Sequence, residues 1–236
     1  MGAIANLLAF PRADLRRLLG AAVKRHRLPE SLGQDLVREA ANFPGLNADA
    51  ALAFAIAQRL KPAPIDLEKA HGILLVGPRG AGKSAVAAKI AHAATLAGRT
   101  VEISRADGGL ALFRTNSHAP DRLTVMEADG FNPLNARAAS AFRALGGIEG
   151  VETIGVVSAL NDAEDVSDLI SAFRFHRVII THMDLTRRLG AALAAAIGGA
   201  QLAHVTHGPH PEDGLDMLAP GAVASQMLES EFPQKR

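Results

Sequence analysis

Ile73-Leu-Leu-Val76 runs into Gly77-Pro78-Arg79-Gly80-Ala81-Gly82-Lys83-Ser84, and a helical stretch opens at Ala85. An apolar run, the pattern G-x-x-x-x-G-K-[ST] and a helix, in that order, are the strand, loop and helix of a phosphate-binding P-loop. The glycines let the backbone wrap with its N–H groups pointing inward, which makes a concave anion site at a helix N-terminus. Lys83 is then placed to reach the β- and γ-phosphates of a nucleotide, and the Ser84 hydroxyl to ligate Mg²⁺. The alternative is a glycine-rich turn that binds nothing. Such matches fail chiefly where the flanking strand or helix is missing, and here both are present.

Outward from this loop, short apolar runs alternate with helical segments. Strands are expected at Gly72–Val76, Thr100–Ser104, Arg122–Met126, Glu152–Ser158, Arg177–Thr181 and Leu202–Thr206. Helices are expected near Ser84–Ala97, Asn135–Leu145, Ala163–Phe173, Arg188–Ile197 and Gly221–Glu229. Such alternation implies an α/β fold, a parallel sheet with helices on both faces. The first sixty-odd residues differ. Leu15, Leu18, Leu19, Ala22 and Val23 recur at helical spacing, and Ser31–Ala41 and Asn47–Leu60 read the same way. Asn47 offers an N-cap, and Lys61-Pro-Ala-Pro64 closes the region because proline cannot continue a helix. The expected organisation is therefore a small helical N domain, residues 1–65, and a P-loop domain, residues 66–236.

Composition limits the function classes. The chain has 236 residues, 25 Lys plus Arg against 24 Asp plus Glu, and no cysteine. A formal net charge of +1 advertises no nucleic acid, so no DNA partner is expected. Without cysteine there are no disulfides or thiolate metal sites, which fits a reducing compartment. The uncharged stretch Leu189–Leu202 is too short to span a bilayer, and Met1–Phe10 is apolar without a basic flank. The expected location is cytoplasmic, at most peripheral on a membrane.

Ligands of parallel sheets sit beyond the carboxyl ends of the strands, so the residues after each strand carry the information. Asp107 follows the second strand and is either a water-positioning carboxylate near a γ-phosphate or a turn aspartate ahead of Gly108 and Gly109. The third strand ends in Glu127-Ala-Asp129-Gly130. A carboxylate there has the form of a Walker-B element holding Mg²⁺ with Ser84, and the Gly130 amide is placed to touch the γ-phosphate. Asp129 is unexpected, because another negative charge opposes a triphosphate. Thr181-His-Met-Asp184 follows the fifth strand. An aspartate at that place can accept a bidentate pair from guanine N1 and N2, which adenine does not offer.

The order of these signals, with two flanking stretches, resembles the signal-recognition-particle (SRP)-type GTPases. Ala88-Lys-Ile-Ala91 is similar to their AKLA sequence, and Thr181-His-Met-Asp-Leu-Thr-Arg-Arg-Leu-Gly-Ala-Ala-Leu193 to the segment that begins TKLD. His207-Gly-Pro-His-Pro-Glu-Asp-Gly-Leu215 is similar to their closing loop. The Gly-Pro-Arg-Gly-Ala-Gly-Lys wording and the absence of a methionine-rich tail resemble the FlhF-like flagellar branch. The resemblance implies GTP or GDP with Mg²⁺, held by Gly77 to Ala85, Gly130, Thr181, Asp184 and Gly208, with Ser84 and Glu127 on the metal and Asp107 catalytic. It also implies a nucleotide-dependent homodimer, or a heterodimer with a related GTPase or regulator, recruited to the inner membrane or cell pole.

The departures point to weak hydrolysis. The family's DTYR keeps only Asp107, with Leu110 where its arginine belongs; DTAG becomes Glu127-Ala-Asp-Gly; the lysine of TKLD becomes His182. Only about twenty residues separate Asp107 from Glu127, where the family inserts a further α–β–α element. Arg105 and Arg114 are the available substitutes for the lost arginine. A catalytically inactive pseudo-GTPase scaffold and a P-loop ATPase are the competing readings. His204, His207 and His210 form a candidate metal cluster, although the closing loop already accounts for them. Lys24-Arg-His-Arg27 reads as a solvated basic face at a helix end, and Asn161-Asp-Ala-Glu-Asp165 as a helix cap.

Overall fold

A computed structural model of the protein describes residues 12–43, 46–106, 121–130 and 149–229. The described residues form one six-stranded sheet in the order β2-β3-β1-β4-β5-β6, with every adjacent pair parallel. Its strands are β1 (Gly72–Val76), β2 (Thr100–Arg105), β3 (Arg122–Glu127), β4 (Val151–Ser158), β5 (Arg177–Thr181) and β6 (Gln201–Val205). The helices are α1 (Arg12–Arg25), α2 (Glu30–Ala40), α3 (Ala48–Arg59), α4 (Lys83–Leu96), α5 (Ala163–Phe173), α6 (Gly190–Ile197) and α7 (Pro220–Leu228). The expected helix at Asn135–Leu145 lies outside the described residues.

The strands alternate their apolar side chains between two cores, as parallel sheets covered on both faces must. Ile73, Leu75, Val125, Ile154, Val156 and Ile179 meet Val86, Ala87, Ile90 and Ala94 of α4. Leu74, Val76, Met126, Val157, Val178 and Ile180 share the opposite core with α1, α2, α3, α5, α6 and α7. There α3 packs along α7 and α5 along α6. The proline segment that ends the helical region is tied to the edge strand: Leu202 N donates to Lys61 O at 2.9 Å and Ala63 N to Leu202 O at 2.8 Å.

Caps explain the helix boundaries. Asn47 Oδ1 accepts from Ala50 N at 2.8 Å at the start of α3, and Asp162 caps α5 by accepting from Glu164 N at 2.9 Å. Helix α6 begins two residues later than its apolar pattern predicts. Thr186 Oγ1 holds Arg188 in a side-chain-bonded turn and His26 Nδ1 accepts from Leu189 N at 3.2 Å, which delays the first helical residue to Gly190.

The last contact corrects the reading of Lys24–Arg27 as a solvated face. Lys24 and Arg27 are exposed, but His26 is buried. The chain turns left-handed at Arg27, φ 53°, and His26 is pressed against the start of α6, where Gly190 N donates to its carbonyl at 3.0 Å. Burial, reinforced by the neighbouring Arg25 charge, holds the His26 imidazole below its ordinary pKa.

Candidate nucleotide-binding site

The P-loop lies beyond the carboxyl end of β1, at the point where the strand order switches between β3 on one side and β4 on the other. Gly77 is the first residue past β1, and a Cβ there would stand 2.3 Å from the Val156 carbonyl oxygen of β4. Only glycine lets the loop leave the sheet so closely. Gly82 adopts φ 87°, a left-handed conformation that reverses the chain into α4. Thr181 at the end of β5 is buried and donates from Oγ1 to Ala81 O at 2.8 Å, so its hydroxyl braces the loop. Lys83, Ser84 and Ala85 open α4, where the first backbone N–H groups have no intrahelical acceptor.

Lys83 Nζ donates to Gly77 O at 2.9 Å and Pro78 O at 3.0 Å. Burial lowers its pKa, opposed by the Glu127 and Asp129 carboxylates. The register sets Glu127 opposite Leu75 of β1 and Arg105 of β2. Its carboxylate therefore meets the first turn of α4, where Ser84 Oγ donates to Glu127 Oε2 at 2.6 Å. Two oxygen ligands of the kind Mg²⁺ prefers, one hydroxyl and one carboxylate, thus stand together at the P-loop as its fit requires. Asp129 is paired with Arg105, and Arg79 Nε approaches Gly130 O at 3.4 Å. Lys83, Ser84, Arg105, Glu127, Ala128, Asp129 and Gly130 line a cavity of about 340 Å³.

The residues expected to recognise a base stand further along the same sheet end. Asp184 is exposed in the turn after β5, where Leu185 N donates to His182 O at 3.2 Å. His182 takes φ 59°, and its Nδ1 lies 3.0 Å from both Ser158 Oγ and Thr181 Oγ1. Gly208 follows the neighbouring strand β6 and packs against the Asp213 carboxylate. Asp107 lies outside the described residues, as do Leu110 and Arg114.

One residue of this region escaped the reading of single strand ends. Lys89 of α4 has a fully buried side chain whose Nζ donates to His210 O at 2.5 Å and His207 O at 3.3 Å, with Asp213 Oδ2 at 3.9 Å. It ties the loop that carries Gly208 to the helix that follows the P-loop. The only trace in the sequence is the Ala88-Lys-Ile-Ala91 stretch, since nothing local marks a lysine for burial. The histidine cluster is dispersed by the same loop. His204 Nε2 accepts from Ile65 N at 3.2 Å and His207 Nδ1 pairs with Asp216 at 3.1 Å, while His210 is exposed over Asp213. No group of three or more His, Asp or Glu arranged to hold a metal occurs among the described residues. Nor is any helix among them long and apolar enough to cross a membrane.

No protein-family model and no curated protein matches the sequence. Solved structures do. FlhF complexed with GMPPNP and Mg²⁺ superposes with a TM-score of 0.70 at 17% identity, over 92% of this chain and 100% of that one. The chain has the fold of the SRP-type GTPases. Signal recognition particle receptor FtsY from Elizabethkingia anophelis, in complex with GDP, matches at TM-score 0.68 and 13% identity, over 93% of this chain and 85% of that one. Cell division protein FtsY from Thermotoga maritima matches at TM-score 0.64 and 19% identity, over 93% and 88%. The SRP-type fold thus spans both the helical N-terminal segment and the sheet.

Proposed function

We propose that this chain binds a guanine nucleotide with Mg²⁺ and is an SRP-type, FlhF-like GTPase with weak hydrolysis. The observation that carries the reading is the 2.6 Å contact between Ser84 and Glu127 under a complete P-loop. Gly77, Pro78, Arg79, Gly80, Ala81, Gly82, Lys83, Ser84 and Ala85 would surround the phosphates, and Ser84 with Glu127 would hold the metal. Mg²⁺ would supply charge neutralisation at the β- and γ-phosphates. Gly130 would approach the γ-phosphate, and Thr181, Asp184 and Gly208 would frame the base. The GMPPNP/Mg²⁺ and GTP/Mg²⁺ complexes of FlhF support this ligand choice. Slow hydrolysis would follow from Asp129, whose carboxylate lines the cavity beside Lys83 and Glu127 and would oppose a γ-phosphate bound there. Asp107 would retain the water-positioning role.

On this reading residues 1–65 are the N domain and residues 66–236 the G domain. The protein would pair with a second copy, or with a related GTPase or regulator, in a nucleotide-dependent manner. It would work from the cytoplasm, peripherally at the inner membrane or cell pole, in the placement of flagellar or membrane components. Calorimetry with GTP, GDP and ATP in Mg²⁺ tests the core of the reading. A guanine preference of about tenfold or more, roughly 1.4 kcal/mol, that is lost in Asp184→Ala supports it. Preference for ATP indicates a P-loop ATPase. The Asp129 carboxylate at the cavity mouth favours a second reading, a pseudo-GTPase scaffold, which undetectable turnover together with unaltered partner binding in Lys83→Ala would support.

A further inference from the structure

Arg105 and Asp129 end neighbouring parallel strands and reach each other across the mouth of the P-loop cavity. Neither is needed for the sheet, since both side chains are about three-quarters exposed, 73% and 77%. Their position is not incidental, however. Arg105 stands opposite Glu127, which is bonded to Ser84, so the guanidinium and the metal-binding pair share one cavity. Asp129 is followed by Gly130, which packs directly on Arg79 of the P-loop. The cavity lining thus holds two cations, Lys83 and Arg105, and two carboxylates, Glu127 and Asp129.

We propose that the Arg105–Asp129 pair senses the terminal phosphate: Asp129 holds Arg105 while the site contains a diphosphate, and a γ-phosphate takes Arg105 from it. This inference rests on the nucleotide-binding reading above. The exchange follows from the relative strength of the two pairings. An ion pair exposed on both sides is weak and screened by salt. A guanidinium engaging phosphate oxygens makes charge-assisted, bidentate hydrogen bonds, which are stronger. The γ-phosphate also repels the Asp129 carboxylate, which pushes the pair apart in the same direction. A diphosphate lacks the group that would compete, so its binding leaves the pair closed. Asp129 therefore lowers triphosphate affinity, and Arg105 raises it by contact with the γ-phosphate.

The test is the ratio of GMPPNP to GDP affinity in Mg²⁺, measured by calorimetry on the full chain. Arg105→Ala should weaken GMPPNP by about tenfold and leave GDP within about twofold. Asp129→Asn should tighten GMPPNP by a few fold, again with GDP unchanged. In the double variant the gain from Asp129→Asn should shrink, because there is no Arg105 left to release and only the direct repulsion of the γ-phosphate is relieved. Arg105→Lys should recover part of the loss, which separates the phosphate contact from a general disturbance of β2. Equal weakening of GMPPNP and GDP in Arg105→Ala overturns the proposal. So does unchanged GMPPNP affinity in Asp129→Asn, or additive effects in the double variant. Failure of the unaltered protein to bind either nucleotide overturns the nucleotide-binding reading itself and this inference with it, whereas intact GDP binding with an unmoved ratio removes only the sensor.

Discussion

Ser84 and Glu127 are 43 positions apart in the chain, yet the serine hydroxyl donates to the glutamate carboxylate at 2.6 Å. Two adjacent parallel strands create the contact. β1 delivers the loop that starts α4, and β3 runs beside it with Glu127 opposite Leu75. The pair is thus a product of register: a shift of one residue would turn Glu127 to the other face of the sheet.

Removing either member should uncouple nucleotide binding from Mg²⁺. In Ser84→Ala and Glu127→Gln, GTP affinity measured with and without Mg²⁺ should converge, with a loss of about tenfold or more (roughly 1.4 kcal/mol) in the presence of the metal. Full retention of the Mg²⁺ effect in both variants counts against their role as ligands.

Gly77→Ala should destabilise the protein even without nucleotide. The added methyl would stand 2.3 Å from the Val156 carbonyl, which is backbone inside the central sheet and has no room to yield. A cost of about 2 kcal/mol or more is expected, equivalent to a fall in Tm of about 4–8 °C for a chain of this size. Differential scanning calorimetry measures it.

Lys89→Met should loosen the segment from His207 to Asp213. The substitution leaves the His207 and His210 carbonyls and the Asp213 carboxylate without their ammonium partner. The cost should be about 2–4 kcal/mol. Hydrogen exchange should rise at residues 207–214 before it rises in β1 or β3. An unchanged exchange pattern there would show that the lysine does not anchor the loop.

Stability should fall as pH drops below neutrality. His26 and His204 both have folded pKa values depressed, chiefly by burial, below the ordinary value of 6.5. A base with a depressed folded pKa binds its proton more readily when unfolded, so protonation opposes folding. The penalty is absent well above pH 6.5, grows as pH falls through that value, and is complete below the folded pKa values. Tm should accordingly rise between about pH 5 and pH 7.5, and His26→Gln should flatten the rise.

The P-loop was legible because its requirements are local. A glycine pattern, a preceding apolar run and a following helix are adjacent in sequence and need no knowledge of the fold. The strands were legible to within about a residue at most ends for a related reason, as short apolar runs between helical periods in a parallel sheet. The caps at Asn47 and Asp162 belong with them, since each bonds an amide two or three residues on. The solvated face expected at Lys24–Arg27 fails at His26, because its burial depends on α6, more than 160 positions away in the chain.

The sequence by itself thus determined the class of the sheet, the phosphate loop and the residues placed at the strand ends, since each is set by neighbours a few positions apart. Tertiary structure decided what those residues meet. The strand order set Ser84 on Glu127 and Arg105 on Asp129, and the approach of the β6–α7 loop to α4 buried Lys89. Such pairings join residues separated by tens to more than a hundred positions. They arise only once hydrophobic burial on both sheet faces has fixed the register, because an isolated lysine, aspartate or histidine carries no local signal of its partner.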